Sequence, residues 1–329
     1  MYKREMVKRI EKINAKYKEM ITVSLILPVF RKDYIFDCLL SINNQVLNNI
    51  QCIILTNDVD FVQGIVSNFN NIYFVLVQLN IIDSGTVRNI GMEFAEGEYI
   101  GFIDEDDKYT TENALHRLYL LAKNNNYNIC GGSLQIIDKN NCVLEQKKNK
   151  QWWNSEGIVS YANYQWFGGF QRFIFKGEWL RQQNIKFPPF YRFQDAVFLV
   201  RALSESERFY VISDYVYDYR KYHKKITWDA KNIKGQILSA VEICKIAEKN
   251  KYTKLYIMML NNIASTVNLA MNSGDGARLL AFDCIRYVFK HVGTYGIRFK
   301  ILRSNKLIFS MILIYLCTLA IIKSIWRKI

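Results

Sequence analysis

The chain is poor in the residues that interrupt regular structure. Its 329 positions include three prolines, sixteen glycines and three histidines. Such a composition excludes collagen-like and linker-rich architectures, and no internal repeat appears at the usual periods. No Cys-x-x-Cys pair occurs. The seven cysteines (38, 52, 130, 142, 244, 284 and 317) are odd in number and scattered, which argues against a disulfide framework or a zinc site and suits a reducing compartment. Neither G-x-G-x-x-G nor G-x-x-x-x-G-K-[ST] is found, so a bound phosphate needs another anchor. The first twenty residues lack the apolar run of a secretory signal.

What is present describes a folded chain, half hydrophobic and 22% charged. The net charge of +14 sits at the two ends. Residues 1–20 hold seven Lys or Arg against three Glu, and residues 284–329 hold nine with no acid, leaving the middle near neutral. A nucleic-acid domain interleaves basic groups with stacking aromatics on one face. Here the basic end is also the most apolar one, which favours an anionic membrane surface over nucleic acid. Val7, Ile10, Ile13, Tyr17 and Met20 recur at helical spacing among charges, so residues 1–20 read as an amphipathic surface helix.

From Ile21 onward short apolar runs alternate with amphipathic stretches. Ile21–Leu27, Gln51–Thr56, Tyr73–Val77 and Tyr99–Ile103 read as strands; Asp33–Gln45, Val59–Phe69 and Val87–Ala95 read as helices. This is the pattern of an α/β fold with a mostly parallel sheet covered on both faces. Ligands of such sheets bind beyond the carboxyl ends of the strands, which places the chemistry just after Leu27, Thr56 and Ile103. Residues 228–299 read as a helical extension. Residues 300–329 form a basic tail around Leu307–Ile322, sixteen residues without a charge. At ~1.5 Å per residue that segment measures ~24 Å, short of a ~30 Å hydrocarbon core. A core helix, an in-plane anchor and a short span all remain open, with Trp326 and the flanking charges suiting a membrane interface.

The most informative stretch is Gly97-Glu98-Tyr99-Ile100-Gly101-Phe102-Ile103-Asp104-Glu105-Asp106-Asp107. Four acids directly after a buried strand repel one another unless a cation or hydrogen-bond donors neutralise them. Oxygen ligands without a nearby His or Cys suit Mg²⁺ or Mn²⁺ bridging carboxylates to substrate phosphates. The alternative is a solvated acidic turn that caps the helix following Thr110 or Thr111.

Three segments resemble the family 2 glycosyltransferases of the GT-A fold. Val23-Ser24-Leu25-Ile26-Leu27-Pro28-Val29-Phe30, with Cys38 to Gln45, is similar to the family's opening strand and helix. Arg88-Asn89-Ile90-Gly91, followed by the acidic stretch, is similar to its R-N-x-G and D-x-D-D motifs. Phe187-Pro188 and Gln194-Asp195-Ala196-Val197-Phe198 are similar to its acceptor-side F-P and E-D-x-x-F. The likeness covers residues 21–227, which it marks as a GT-A catalytic domain.

The resemblance implies roles by position. Asp104 and Asp106 would be the D-x-D pair, the first near the ribose and the second on the metal, Mn²⁺ or Mg²⁺. Pro28, Val29 and Phe30 would line the base site. Asn57, Asp58, Arg88 and Glu105 would belong to the donor site, as would Arg220, His223 and Lys224 on a loop over the diphosphate. Asp195 would be the catalytic base. Gln194 would lie on the acceptor side. Apart from the resemblance, Trp166 could stack on an acceptor sugar because Gly168 and Gly169 beside it allow close approach of backbone and ligand, with core packing as the alternative; for Trp152 and Trp153 the two stand as equal alternatives. Two departures stand out. Leu55-Thr56-Asn57-Asp58-Val59-Asp60 replaces the usual V-D-D-G-S-T-D, and Gln194 replaces the Glu that precedes the base.

The expected function is inverting, metal-dependent transfer of a sugar from a nucleotide-diphosphate donor to an acceptor hydroxyl. The implied acceptor is a lipid-linked saccharide in bacterial surface polysaccharide assembly, at the cytoplasmic face of the cell membrane. A non-catalytic nucleotide- or membrane-binding component of the same fold is the alternative.

Overall fold

The computed structural model describes residues 6–15, 20–80, 83–145, 153–221 and 228–272. The strands, in chain order, are β1 (Val7–Ile13), β2 (Val23–Val29), β3 (Ile50–Thr56), β4 (Tyr73–Leu79), β5 (Tyr99–Phe102), β6 (Lys108–Tyr109), β7 (Ile129–Ile137), β8 (Val143–Glu145), β9 (Gly157–Ser160), β10 (Phe173–Lys176) and β11 (Arg208–Arg220). The helices are α1 (Ile35–Asn43), α2 (Val59–Val66), α3 (Ser84–Glu93), α4 (Ala114–Asn124), α5 (Tyr161–Tyr164), α6 (Gly177–Gln182), α7 (Gln194–Ser206), α8 (Ala230–Lys249) and α9 (Thr253–Asn272). The chain divides into two units, residues 1–189 with 201–225, and residues 190–200 with 226–329.

In the first unit the strands form one sheet in the order β1-β4-β3-β2-β5-β10-β7-β11-β6, with β8 beside β7 and β9 beside β11. β2 and β3 are buried along their whole length, as expected of strands covered on both faces. They pair in parallel with Leu27 opposite Ile54, and β2 continues in parallel to β5 with Leu25 opposite Gly101. Parallel pairing runs through β4, β3, β2 and β5 and recurs between β7 and β11, so the expectation of a mostly parallel sheet holds in part. β10 runs antiparallel to both β5 and β7, and β1, β6, β8 and β9 also join antiparallel, so the sheet is mixed. The later strands lack a clean apolar signature because β7 contains Gly131 and Gly132. A Cβ on Gly131 would lie 2.2 Å from the Phe173 ring, and one on Gly132 would lie 2.5 Å from Val216. Bare backbone there lets the large side chains of β10 and β11 cross β7.

Residues 7–13 are a strand and not the expected helix. β1 pairs antiparallel with β4, and a register shift between Val7 and Arg9 puts Glu11 and Ile13 on one face. The same bulge brings Val7 and Ile10, three apart, to one face, while Ile13 lies on the other. β4 would otherwise be an open sheet edge; β1 covers it and presents Lys8, Arg9 and Lys12 outward, a charged border that discourages edge pairing.

The second unit contributes α8 and α9, which pack together, and the segment entering α7. Ser239 on α8 donates to the Arg192 carbonyl at 2.9 Å, and the Arg192 guanidinium lies 4.6 Å above the Trp228 ring. A Cβ on Gly235 would meet the Arg192 backbone at 2.7 Å. α8 thus fixes the stretch that leads into Gln194 and Asp195. No helix among the described residues is long and apolar enough to cross a membrane. The segment Leu307–Ile322 lies outside the described residues.

Candidate active site

From β2 the chain steps outward to β3 and β4, then returns to β5 on the other side of β2. This reversal opens a crevice at the carboxyl ends of β2, β3 and β5, where open α/β sheets bind ligands. Pro28 and Val29 are buried at the end of β2, with Phe30 half-buried beyond them. Asn57 is exposed after β3. Asp58 caps α2 by accepting from the Phe61 N–H at 3.1 Å and from Lys32 at 2.9 Å, and these bonds, that to Lys32 foremost, hold its carboxyl below the ordinary range.

Asp104 leaves the end of β5 with its side-chain oxygens divided between two donors. Arg88 Nη2 donates to Oδ1 at 2.6 Å, and Gln171 Nε2 donates to Oδ2 at 2.9 Å. Arg88 comes from α3, whose N-terminus is capped by Asp83 accepting from both the N–H and the hydroxyl of Thr86. Its guanidinium lies over the rings of Phe170 and Phe187, at 5.1 and 5.7 Å. Phe187 is itself locked by Asn89, which exchanges two hydrogen bonds with the Phe187 backbone at 2.8 and 2.9 Å. The Arg-Asn pair of the motif therefore divides its work. Arg88 orients the carboxylate, and Asn89 fixes the ring beneath Arg88.

The turn 104–107 is moulded against the end of β11. The Asp104 N–H donates to the Tyr217 hydroxyl at 3.2 Å, and that hydroxyl donates to Asp107 Oδ2 at 2.9 Å. The Arg220 N–H donates to Asp107 Oδ1 at 2.8 Å. Burial, then the negative charge of Asp104 and Asp106, pushes the Asp107 carboxyl well above its ordinary value, and the bonds from Arg220 and Tyr217 oppose the rise. Asp106 is buried and Glu105 half-buried.

Arg220 occupies a place the resemblance does not anticipate. Its side chain is fully buried, and Nε donates to the Asp106 carbonyl at 2.8 Å while Nη1 donates to the carbonyls of Asp138 and Lys139 at 3.0 and 3.3 Å. It grips the acidic turn with a side chain that has no exposed surface of its own. His223 and Lys224 lie outside the described residues. On the expected acceptor side, the Trp166 carbonyl accepts from Tyr161, Trp166 packs against Phe167 with centroids 5.0 Å apart, and Gly169 takes φ 77°. That left-handed backbone favours glycine. Gln194 and Asp195 open the first turn of α7, in the second unit. Trp153 is a packing residue. Its ring stacks on Tyr164 at 4.7 Å and its indole donates to the Gly132 carbonyl at 3.2 Å, while Trp152 lies outside the described residues.

The acidic turn offers oxygen donors alone. Among the described residues no group of three His, Cys, Asp or Glu is arranged to hold an ion unaided. The oxygen-only chemistry of Asp104 and Asp106 is of the kind that suits a hard divalent cation. Gln171 and Tyr217 escape the sequence reading. Gln171 carries no motif at all, whereas the alternation of Tyr215, Tyr217 and Tyr219 marks a strand whose one face is aromatic.

Residues 24–186 match the profile described as Glycosyl transferase family 2. The chain belongs to that family. It is 27% identical over 256 residues to the poly(ribitol-phosphate) beta-glucosyltransferase of Bacillus spizizenii, covering 73% of this chain and 39% of that one. It is also 26% identical over 323 residues to the uncharacterized glycosyltransferase EpsJ of Bacillus subtilis, covering 88% and 91%. Among solved structures, S. aureus TarS 1-349 in complex with UDP-GlcNAc superposes with a TM-score of 0.66 at 16% identity, covering 83% of this chain and 82% of that one. At that identity the likeness shows the GT-A-like fold. This family 2 glycosyltransferase spans well under half of the first relative's length.

Proposed function

We propose that this family 2 glycosyltransferase transfers a sugar, with inversion, from a nucleotide-diphosphate donor to a hydroxyl of a lipid-linked or polymeric surface-polysaccharide acceptor. The observation that carries the reading is the Asp104 carboxylate, held at the switch point of the sheet by Arg88 and Gln171. A carboxylate fixed on both oxygens is pre-organised to meet a ribose or a metal-bound phosphate without paying ordering entropy on binding. The names of the Bacillus spizizenii relative and the TarS complex support a polyol-phosphate class of acceptor and a uridine nucleotide.

The chemistry divides between the two ends of the donor. Pro28, Val29 and Phe30 form an apolar wall for the base, and Arg88 and Asp104 orient the ribose and diphosphate. A divalent cation on Asp106 and Asp104 would supply Lewis-acid stabilisation of the leaving diphosphate. Asp195 takes the proton from the acceptor hydroxyl as its oxygen forms the new bond to the anomeric carbon. The bond from that carbon to the diphosphate oxygen breaks, and the departing nucleotide keeps the electron pair. Gln194, Trp166, Gly168 and Gly169 border the acceptor. Glu105, Asn57 and Asp58 border the donor, and His223 and Lys224, outside the described residues, would act toward the diphosphate. The basic residues of 284–329 would hold the protein at an anionic membrane surface, each contributing roughly 1 kcal/mol near the headgroups.

The test is calorimetric titration with UDP, GDP, CDP and dTDP, with and without Mn²⁺, on the wild type and on Asp195→Asn. Metal-enhanced binding of one nucleotide, with turnover lost but binding kept in Asp195→Asn, is expected. Absence of binding by every nucleotide would overturn the reading.

A further inference from the structure

Arg220 stands inside the motif-like stretch Tyr219-Arg220-Lys221-Tyr222-His223, where the family resemblance assigns a cation to the donor diphosphate. The geometry assigns it elsewhere. Its side chain is 0% exposed, and every nitrogen of the guanidinium is engaged within the protein. Nε holds the Asp106 carbonyl, Nη1 holds the carbonyls of Asp138 and Lys139, and Nη2 donates to Asn141 Oδ1 at 2.8 Å and faces Asp37 Oδ2 at 3.7 Å. The plane stacks on the Tyr34 ring at 4.2 Å, and the backbone N–H of the same residue binds Asp107. Four of its five N–H groups are hydrogen-bonded within the protein and the fifth faces Asp37, so a phosphate could bind only by displacing these partners.

We propose that Arg220 is a positioning residue. It sets the conformation of the 104–107 turn, and so the placement of the Asp106 carboxylate, by tying that turn to the β7–β8 hairpin and to the start of α1. Three physical points support this. A single planar fork reaches the acidic turn, residues 138–141 and α1 at once, which a lysine ammonium cannot do. The guanidinium puts a fixed positive charge behind the buried acids of the turn, reducing the repulsion that would otherwise spread them. Among its partners Asn141 sits at φ 67°, so the hairpin turn is shaped to present an acceptor to Arg220.

The inference rests on the donor-site reading above, and the test separates the two. Binding of UDP is measured by calorimetry with and without Mn²⁺ for the wild type, Arg220→Lys and Asn141→Gly, each checked for folding by thermal melting. Asn141→Gly removes one partner and keeps a residue that tolerates the left-handed backbone, so it serves if Arg220→Lys does not fold. A positioning role predicts that the Mn²⁺-dependent gain in UDP affinity falls about 10-fold or more in Arg220→Lys and by a smaller factor in Asn141→Gly. Metal-free UDP affinity stays within about twofold of the wild type. A retained Mn²⁺-dependent gain in the folded variants overturns the proposal, as does a metal-free loss as large as the metal-dependent one, which is the signature of direct phosphate contact. A wild type that shows no Mn²⁺-dependent gain defeats the metal-assisted donor site itself.

Discussion

The Gln171 amide donates to the Asp104 carboxylate at 2.9 Å across 67 positions of chain. Gln171 follows the Gly168-Gly169 segment, so one hydrogen bond joins the expected acceptor border to the carboxylate at the donor end. Asp104 receives its second donor from Arg88, and the two bonds together fix the plane of the carboxylate.

Removal of this bond is expected to weaken donor binding more than stability. A hydrogen bond to a charged group contributes about 1.5–3 kcal/mol. Gln171→Ala should therefore weaken affinity for the nucleotide identified by titration about 10-fold or more. Calorimetry on the folded variant checks this; unchanged affinity would remove Gln171 from the site.

Arg88→Met should cost both fold and function. Arg88 is nearly buried, lies over two phenylalanine rings and is paired with the more accessible Asp104. Breaking a buried pair costs about 3–5 kcal/mol, and the partial exposure of Asp104 brings the expected loss to roughly 2–3 kcal/mol. Denaturant titration would read that loss, with donor binding abolished in the same protein.

Two glycines should respond in opposite directions to alanine. A Cβ on Gly91 would lie 2.6 Å from Ile26 and 3.0 Å from Leu55, so Gly91→Ala should destabilise by about 1–2 kcal/mol through overpacking of α3 on the sheet. Gly64 lies in α2 with nothing within 4 Å of an added Cβ, and Gly64→Ala should stabilise by roughly 0.5–1 kcal/mol. Melting curves of the two variants test both signs.

Alkylation should distinguish the cysteines. Cys38, Cys52, Cys130 and Cys244 are buried, and desolvation raises each thiol well above its ordinary value, whereas Cys142 is exposed. Under native conditions a thiol reagent should modify Cys142 and spare these four. Peptide mapping before and after denaturation would show it, and native labelling of any of the four would contradict the packing.

Much of the donor half was legible in the chain. Continuous apolar runs gave β2, β3, β4 and β5 because strands covered on both faces carry no polar alternation. Four acids after the last of these runs marked the carboxyl edge, where Asp104 indeed stands beside Arg88. Spacing misled at residues 7–13, where a bulge puts Val7 and Ile10 on one face of an edge strand and Ile13 lies on the other, so three-residue spacing there marks no helix.

What the sequence determined by itself were the local elements and the residue types at their ends. Backbone periodicity and burial act over a few neighbouring positions, so they can be read along the chain. Tertiary structure alone decided which groups meet. Only the mixed sheet brings Tyr217 and Arg220 from the end of β11 to a turn more than a hundred residues earlier, and Gln171 to Asp104. The same residue type, an arginine near the expected diphosphate site, serves as a ligand if it faces the crevice and as a brace if buried behind it. For Arg220 that choice follows from strand register and from the carbonyls left open at the β7–β8 turn, neither of which any local pattern records.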